Sequence, residues 1–361
     1  MESSPEPRPA FTAIWQSELA GTDWLLYRWL MRVFSPYISE HIADGKCEIV
    51  RDNAILFDRF VYAKDPEYYR RFKGKNAFLV HISDEFYELG VDRYKNFRGV
   101  FRMLWSSVFN PEHVMVFPLG SYIEEPPAKV LPANERRYAW SFIGAADKTS
   151  RPEAVRSFAS LAPNFLFSST PLSGFKFAGA PNRRISRPEF FEVLGQSIFA
   201  PSPMGNASME SCRPYDALEM GAIPIVERRL TLDYYKELLG DHPLPTVGSW
   251  KEGRRLADDL LERPAELLQL QRSCMQWWVD YNQRLVARVG SFLEERANAT
   301  DELMPLRSRL PEFQFWKYIE LFRHHSAPAL YRRFSMQASR LLKRQKWRVS
   351  PASSFKGQEN R

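Results

Sequence analysis

The segment 197–226, SIFAPSPMGNASMESCRPYDALEMGAIPIV, gathers the residues best suited to chemistry. A β-like run over 197–202 ends in a loop of proline, glycine and serine. A helix over 212–220 follows, and Gly221 leads into a second β-like run, 222–227. Gly205 lets the backbone approach a ligand, and Ser208 and Ser211 place hydroxyls beside the free N–H groups of the helix start. Arg213 and Asp216, three apart, share one helix face. The set suits a nucleoside diphosphate, with Arg213 on the phosphates and Asp216 on the ribose hydroxyls. An ion pair on a solvated helix face accounts for the same two residues.

Such a loop needs a strand before it and a helix after it, and the chain supplies that alternation at length. From 138 onward, strands at 138–144, 164–168, 197–202, 222–227 and 244–247 alternate with helices at 151–161, 187–195, 212–220 and 231–239. Long helices over 250–297 close the region. This pattern predicts a mostly parallel sheet covered by helices, with ligands at the C-terminal ends of its strands. Helix starts repeat one grammar. Ser150-Arg151-Pro152-Glu153 and Ser186-Arg187-Pro188-Glu189 read as capping boxes with proline in the first turn, and Ser211-Cys212-Arg213-Pro214 opens a third helix in a similar way. Arginine in a first turn opposes the helix dipole unless an anion is near.

Upstream, helical spacing of apolar residues from Trp15 through Leu19, Leu26, Leu30 and Val33 predicts a helix of about five turns. β-like runs at 53–60, 77–83 and 113–118 follow, with a helix expected over 94–108. The proline-rich stretch 124–134, EEPPAKVLPAN, reads as an interdomain linker, and residues 1–10 as a disordered leader. A chain of 361 residues, 44% hydrophobic and 26% charged, is long enough for two domains and too apolar for wholesale disorder.

Several chemistries are poorly served. There is no G-x-G-x-x-G and no G-x-x-x-x-G-K-[ST], which weakens dehydrogenase and P-loop readings. The three cysteines are scattered without metal spacing, and the six histidines show no H-E-x-x-H. From Leu330 onward nine basic residues face the single acid Glu359, so the tail carries +8 and, with a net charge of +7, the rest of the chain carries −1. A near-neutral body argues against nucleic acid as the partner.

In Pro203-x-Gly205, Ser211-x-Arg213, Asp216-Ala217-Leu218 and Gly221-Ala222-Ile223-Pro224-Ile225 the chain resembles the exostosin-type (family 47-like) glycosyltransferases. Phe142-Ile143-Gly144 followed by Arg151 is similar to the first strand of that family's donor domain. Trp250 and Trp277-Trp278 stand where the family closes it. The resemblance covers about 138–290 and is weaker over 77–122. Asp216 stands where the family usually has Glu, and the N-terminal membrane anchor common in its animal and plant members is missing.

The resemblance implies an α/β GT-B fold: two Rossmann-like domains facing a cleft, with C-terminal helices. An acceptor-side domain would span 11–128, a nucleotide-sugar domain 134–295, and a helical segment with the basic tail 296–361. The implied activity moves a sugar, from UDP in the first instance, to a glycan or glycolipid hydroxyl, inverting and without a cofactor. No Asp-x-Asp occurs, so helix dipoles and basic residues would stabilise the leaving diphosphate in place of a metal. Donor-binding residues would be Gly144, Arg151, Gly205, Ser208, Ser211, Arg213 and Asp216, with Lys176 or Arg183 as further cations.

An inverting transfer also needs a general base. Asp84, leaving the end of the 77–83 run, is the first choice, with Glu85 and His81 behind it. Helix capping by Asp84 and a core role for His81 are the competing readings. In the tail, Leu330, Phe334, Ala338 and Leu341 form one stripe among arginines and lysines, which suits an anionic membrane surface or packing on the first domain. A cytoplasmic enzyme, peripheral on the inner face of the membrane, is expected. The rivals are a GT-B-shaped binding protein without catalysis and a Rossmann-type protein using another nucleotide cofactor.

Overall fold

The computed structural model describes residues 10–16, 24–59, 66–84, 91–123, 125–170, 185–205, 208–229 and 232–307. Short, buried runs make its central strands, because a sheet covered on both faces has no solvated side to alternate toward, while the edge strand 38–43 is largely exposed. AILFD and AFLVH, for example, are buried at every position.

In the first half the strands are β1 (Phe11–Trp15), β2 (Ile38–Ala43), β3 (Ala54–Asp58), β4 (Ala77–His81), β5 (Gly99–Arg102) and β6 (Val114–Val116). They form one sheet in the order β2-β1-β3-β4-β5-β6, every pair parallel. Helices α1 (Trp24–Phe34) and α2 (Pro66–Arg70) belong to this half. The second half holds β7 (Tyr138–Gly144), β8 (Asn164–Ser168), β9 (Ser197–Ser202), β10 (Ile223–Glu227) and β11 (Thr246–Val247). Their order is β11-β10-β9-β7-β8, again all parallel. Its helices are α3 (Arg151–Phe158), α4 (Arg187–Gly195), α5 (Arg213–Glu219), α6 (Tyr234–Leu239) and α7 (Trp250–Leu261). The 35-residue α8 (Pro264–Asn298) follows.

These are two Rossmann-like halves, and the alternation read from the second half agrees closely with its elements. The first half departs from expectation in two places. Trp15 ends a strand instead of starting a helix, and its ring stacks on Phe57 of the neighbouring β3 with centroids 4.0 Å apart. The helix expected over 94–108 is a 3-10 turn, Val91–Asn96, followed by β5. Gly99, a poor helix residue, opens that strand where a Cβ would lie 2.8 Å from the ring of Phe292.

Helix α8 starts in the second half, where Leu267 joins the core of Trp140, Phe158 and Trp250, and ends on the first. There Phe292 meets Phe101 edge-on at 5.0 Å, and Arg296 Nε donates to the Arg98 carbonyl at 2.9 Å. The expected domain boundary at 295 therefore falls inside one continuous helix. One core cluster contains Phe34, Phe57 and Phe101 together with Tyr215, Tyr234, Trp278 and Phe292, so both halves share apolar packing. Among the described residues no helix is long and apolar enough to cross a membrane.

Candidate functional site

In the second sheet the chain order reverses at β7, which has β8 on one side and β9 on the other. The crevice outside the C-terminal ends of such strands is where parallel sheets hold ligands. A cavity of about 340 Å³ opens there, lined by Ile143 of β7, Gly205 after β9, and Ser211, Arg213 and Asp216 at the start of α5. Arg151, Arg187, Phe190 and Phe191 line it from α3 and α4, and Leu119 and Tyr122 from the chain leaving the first sheet.

Arg213 is the central charge. Its guanidinium lies 5.0 Å from the Phe142 ring centroid, and a Cβ on Gly144 would stand 2.6 Å from its terminal nitrogen. Gly144, at φ +145°, is favoured by its backbone, and any side chain there would displace the Arg213 tip. Arg213 Nε is buried with no hydrogen-bond partner, and burial lowers the guanidinium pKa from its ordinary value. No ion pair closes between Arg213 and Asp216, although both face the cavity. Asp216 is 3% exposed and accepts at one oxygen, Oδ1, from the Ser121 hydroxyl and the Tyr122 amide, both at 2.8 Å. Burial pushes its pKa up to about 7, against the opposing pull of those hydrogen bonds and of Arg213.

The other expected donor residues have distinct places. Arg151 lines the cavity, but its guanidinium donates to the carbonyls of Ala145 and Met204 and so fixes the loops after β7 and β9. Gly205 donates its N–H to the Ser208 carbonyl at 2.8 Å, and a Cβ there would come within 2.5 Å of the Glu210 carbonyl oxygen. Ser208 is buried, and its hydroxyl accepts from the Glu210 amide, so it shapes the loop from behind the cavity. Ser211 Oγ is buried without a hydrogen-bond partner at the cavity wall. The capping grammar holds in part. Ser186 caps α4 through the Glu189 amide, whereas Ser150 makes no cap and donates instead to Glu227 at 2.6 Å. The residue before α5 is Cys212, likewise without a side-chain cap.

The base candidates lie elsewhere, and neither described one lines the cavity. Asp84 forms a buried ion pair with Arg102, Oδ2 to guanidinium 2.9 Å. His81 is fully buried, and its Nδ1 stands 2.8 Å from Arg102 and beside the Tyr94 hydroxyl at 2.5 Å. Burial, with the Arg102 charge second, pushes its pKa well below the ordinary histidine value. His81 is thus a core histidine, and Asp84 neutralises a core arginine rather than standing free to take a proton. Glu85, Lys176, Arg183, the leader 1–9 and the tail from 308 onward lie outside the described residues.

Two acids escaped the sequence reading. Glu210 accepts from the Leu119 amide, the Tyr215 hydroxyl and the Tyr234 hydroxyl at 2.7–2.8 Å. Glu227, at the end of β10, accepts from Ser150, the Met204 amide and Trp250 Nε1, and burial raises its pKa. Neither sits in a spacing that marks it, since both act by tying together loops distant in sequence. Among the described residues no three His, Cys, Asp or Glu side chains cluster as a metal site requires.

No family model and no curated protein sequence matches the chain. Solved structures do. An α1,3-fucosyltransferase is similar over 81% of this chain and 93% of its own, at 10% identity and TM-score 0.48. The same kind of enzyme with GDP-fucose gives 84% and 96%, at 12% identity and TM-score 0.47. The DNA-modifying enzyme β-glucosyltransferase, crystallised with and without uridine diphosphoglucose, gives 80% and 100%, at 10% identity and TM-score 0.49.

Proposed function

We propose that the protein is a glycosyltransferase of the GT-B type, moving a sugar from a nucleotide donor to a hydroxyl of a glycan or glycolipid. The observation that carries this reading is Arg213, a largely buried cation that closes no ion pair among the described residues and whose Nε has no hydrogen-bond partner, facing a cavity at the strand-order reversal. A buried charge is stable only when paired, so the site is built to receive an anion. The diphosphate of a nucleotide sugar supplies one, and the half-buried Phe190, Phe191 and Tyr122 offer apolar walls for a planar base. The exostosin-type motif residues point the same way, and a UDP-sugar is the donor proposed.

In an inverting transfer the acceptor oxygen attacks the anomeric carbon, the bond to the phosphate oxygen breaks, and a base takes the acceptor proton. The proposal gives the leaving diphosphate to Arg213, assisted by the Ser211 hydroxyl, with no metal in the step. Arg151, Gly144 and Gly205 shape the loops that receive it. Asp84 would have to leave Arg102 to act as the base, so the proposal gives it a structural role in the conformation described. Transfer to a lipid-linked acceptor at an anionic membrane through the basic tail remains part of the proposal.

Thermal-shift and calorimetric titration with UDP, UDP-glucose, GDP and NAD test the reading, followed by a donor hydrolysis assay. Stabilisation by a nucleoside diphosphate or its sugar is expected. A response to NAD alone would favour the rival Rossmann-type cofactor protein. Donor binding without turnover on any acceptor would favour the binding protein.

A further inference from the structure

Asp216 and Glu210 line the Arg213 cavity, yet what they hold is the first half of the molecule. Asp216 Oδ1 accepts from Ser121 Oγ and the Tyr122 amide, and Glu210 accepts from the Leu119 amide. Ser121 Oγ accepts in turn from the Ile123 amide at 3.0 Å. Residues 119–123 are the chain leaving β6, anchored just upstream where Trp29 Nε1 of α1 donates to the Pro118 carbonyl. Leu119 and Tyr122 are themselves cavity wall. Three residues beyond Asp216 on α5, Glu219 pairs with Arg32 of α1 and accepts from Trp278 Nε1 of α8. One face of a short helix thus grips the first half, and the grip forms one side of the site.

We propose that Asp216 is a positioning residue. It holds 119–123 against α5 so that Leu119 and Tyr122 close the Arg213 cavity, and a nucleoside diphosphate bound there ties the two halves together. The inference rests on the nucleotide reading of the cavity. It replaces the direct ribose contact expected for Asp216 by action through Ser121 and Tyr122. The geometry separates the two roles. Both hydrogen bonds end on a single oxygen, which the amide of Asn can supply as well as a carboxylate. A residue chosen for its charge or for both oxygens would not tolerate that exchange.

The test compares Asp216→Asn, Asp216→Ala and Ser121→Ala by amide hydrogen exchange over 119–123 without ligand, and by calorimetric titration with UDP. Asp216→Asn is expected to keep slow exchange and a UDP affinity within about threefold of the parent, since a hydrogen bond to a neutral acceptor is the weaker by only part of its worth. Asp216→Ala should speed exchange and weaken UDP by about tenfold or more, with Ser121→Ala in between. Ser121→Ala leaves the acid in place, so it still decides if Asp216→Ala fails to fold. Unchanged exchange in Ser121→Ala and Asp216→Ala overturns the inference. So does an Asp216→Asn that loses UDP as fully as Asp216→Ala while Ser121→Ala binds normally, the pattern of a direct contact. Failure of the nucleotide reading looks different. The parent protein would then bind neither UDP nor UDP-glucose, rejecting the ligand half of the inference, while the exchange pattern alone would decide the latch.

Discussion

Arg102 and Arg213 are both buried arginines near the ends of central strands, each within electrostatic reach of an acid, and they are used differently. Arg102, 0% exposed, has its terminal nitrogens engaged, although its Nε has no hydrogen-bond partner. It pairs with Asp84, donates to the Tyr94 hydroxyl at 2.6 Å, stands against His81 and lies 4.7 Å from the Phe109 ring centroid. Arg213 has Phe142 on one face and Gly144 against its tip, but among the described residues no ion pair closes on it and its Nε has no acceptor. The Nε of each is buried without a hydrogen-bond partner, so what separates them is the ion pair that Arg102 closes with Asp84 and the cavity that Arg213 faces. A buried cation paired with a carboxylate fixes structure, whereas one facing a cavity is a candidate for binding an anion.

Breaking the Arg102–Asp84 pair should have the largest effect. Arg102→Leu strands Asp84 as an uncompensated buried charge and is expected to cost about 3–5 kcal/mol in denaturant unfolding. A neutral Arg102→Leu would mean that the buried pair with Asp84 does not support the fold. Arg213→Ala should do the reverse. UDP affinity should fall and transfer slow by about a hundredfold to a thousandfold, with the melting temperature unchanged or raised. If Arg213→Ala instead unfolds the protein and spares UDP binding, the two arginines share one structural role.

Asp84→Asn sharpens the contrast further. As the partner of Arg102 it should lose about 1.5–3 kcal/mol of stability, while the transfer rate per folded molecule is kept. A rate loss of about a hundredfold to ten-thousandfold in a stable variant would restore Asp84 as the base.

The smallest effect is in pH dependence, and its sign differs between the regions. His81 is neutral when folded, with its pKa held below the ordinary value. The unfolded chain therefore binds the extra proton, and stability falls as pH drops below about 6.5. Asp216, raised to about 7, binds its proton more tightly folded than unfolded. That group therefore loses stability as pH rises from about 4 to 7. Asp216→Asn should melt higher than the parent at pH 8 and converge with it near pH 4, read from paired thermal scans. A constant difference across that range would mean that burial does not raise Asp216.

Much of the second half was legible in the sequence, because its signals are local. Strands 138–144, 164–168 and 197–202 and helix 187–195 are delimited by turn residues and proline at the observed bounds. The first half was harder. Trp15 looks like one position of an amphipathic helix until its stacking on Phe57 makes it a strand residue. The 94–108 stretch likewise carries no mark of the 3-10 turn and strand that packing against Phe292 imposes.

By itself the sequence drew together Arg151, Gly205, Ser211, Arg213 and Asp216 from strand ends and helix starts, and these five of the seven expected donor-side residues line one cavity, whereas Gly144 and Ser208 do not. Only the tertiary structure decided what each does there. Arg151 is occupied by the loop carbonyls of Ala145 and Met204, Ser150 by Glu227, and Asp216 by Ser121 and Tyr122 nearly a hundred residues away. The physical reason is that residue type and spacing set the hydrogen-bonding capacity of a side chain. Which partners use that capacity is fixed by chain segments that meet only after folding. Arg213 faces the same cavity with its Nε unpartnered among the described residues.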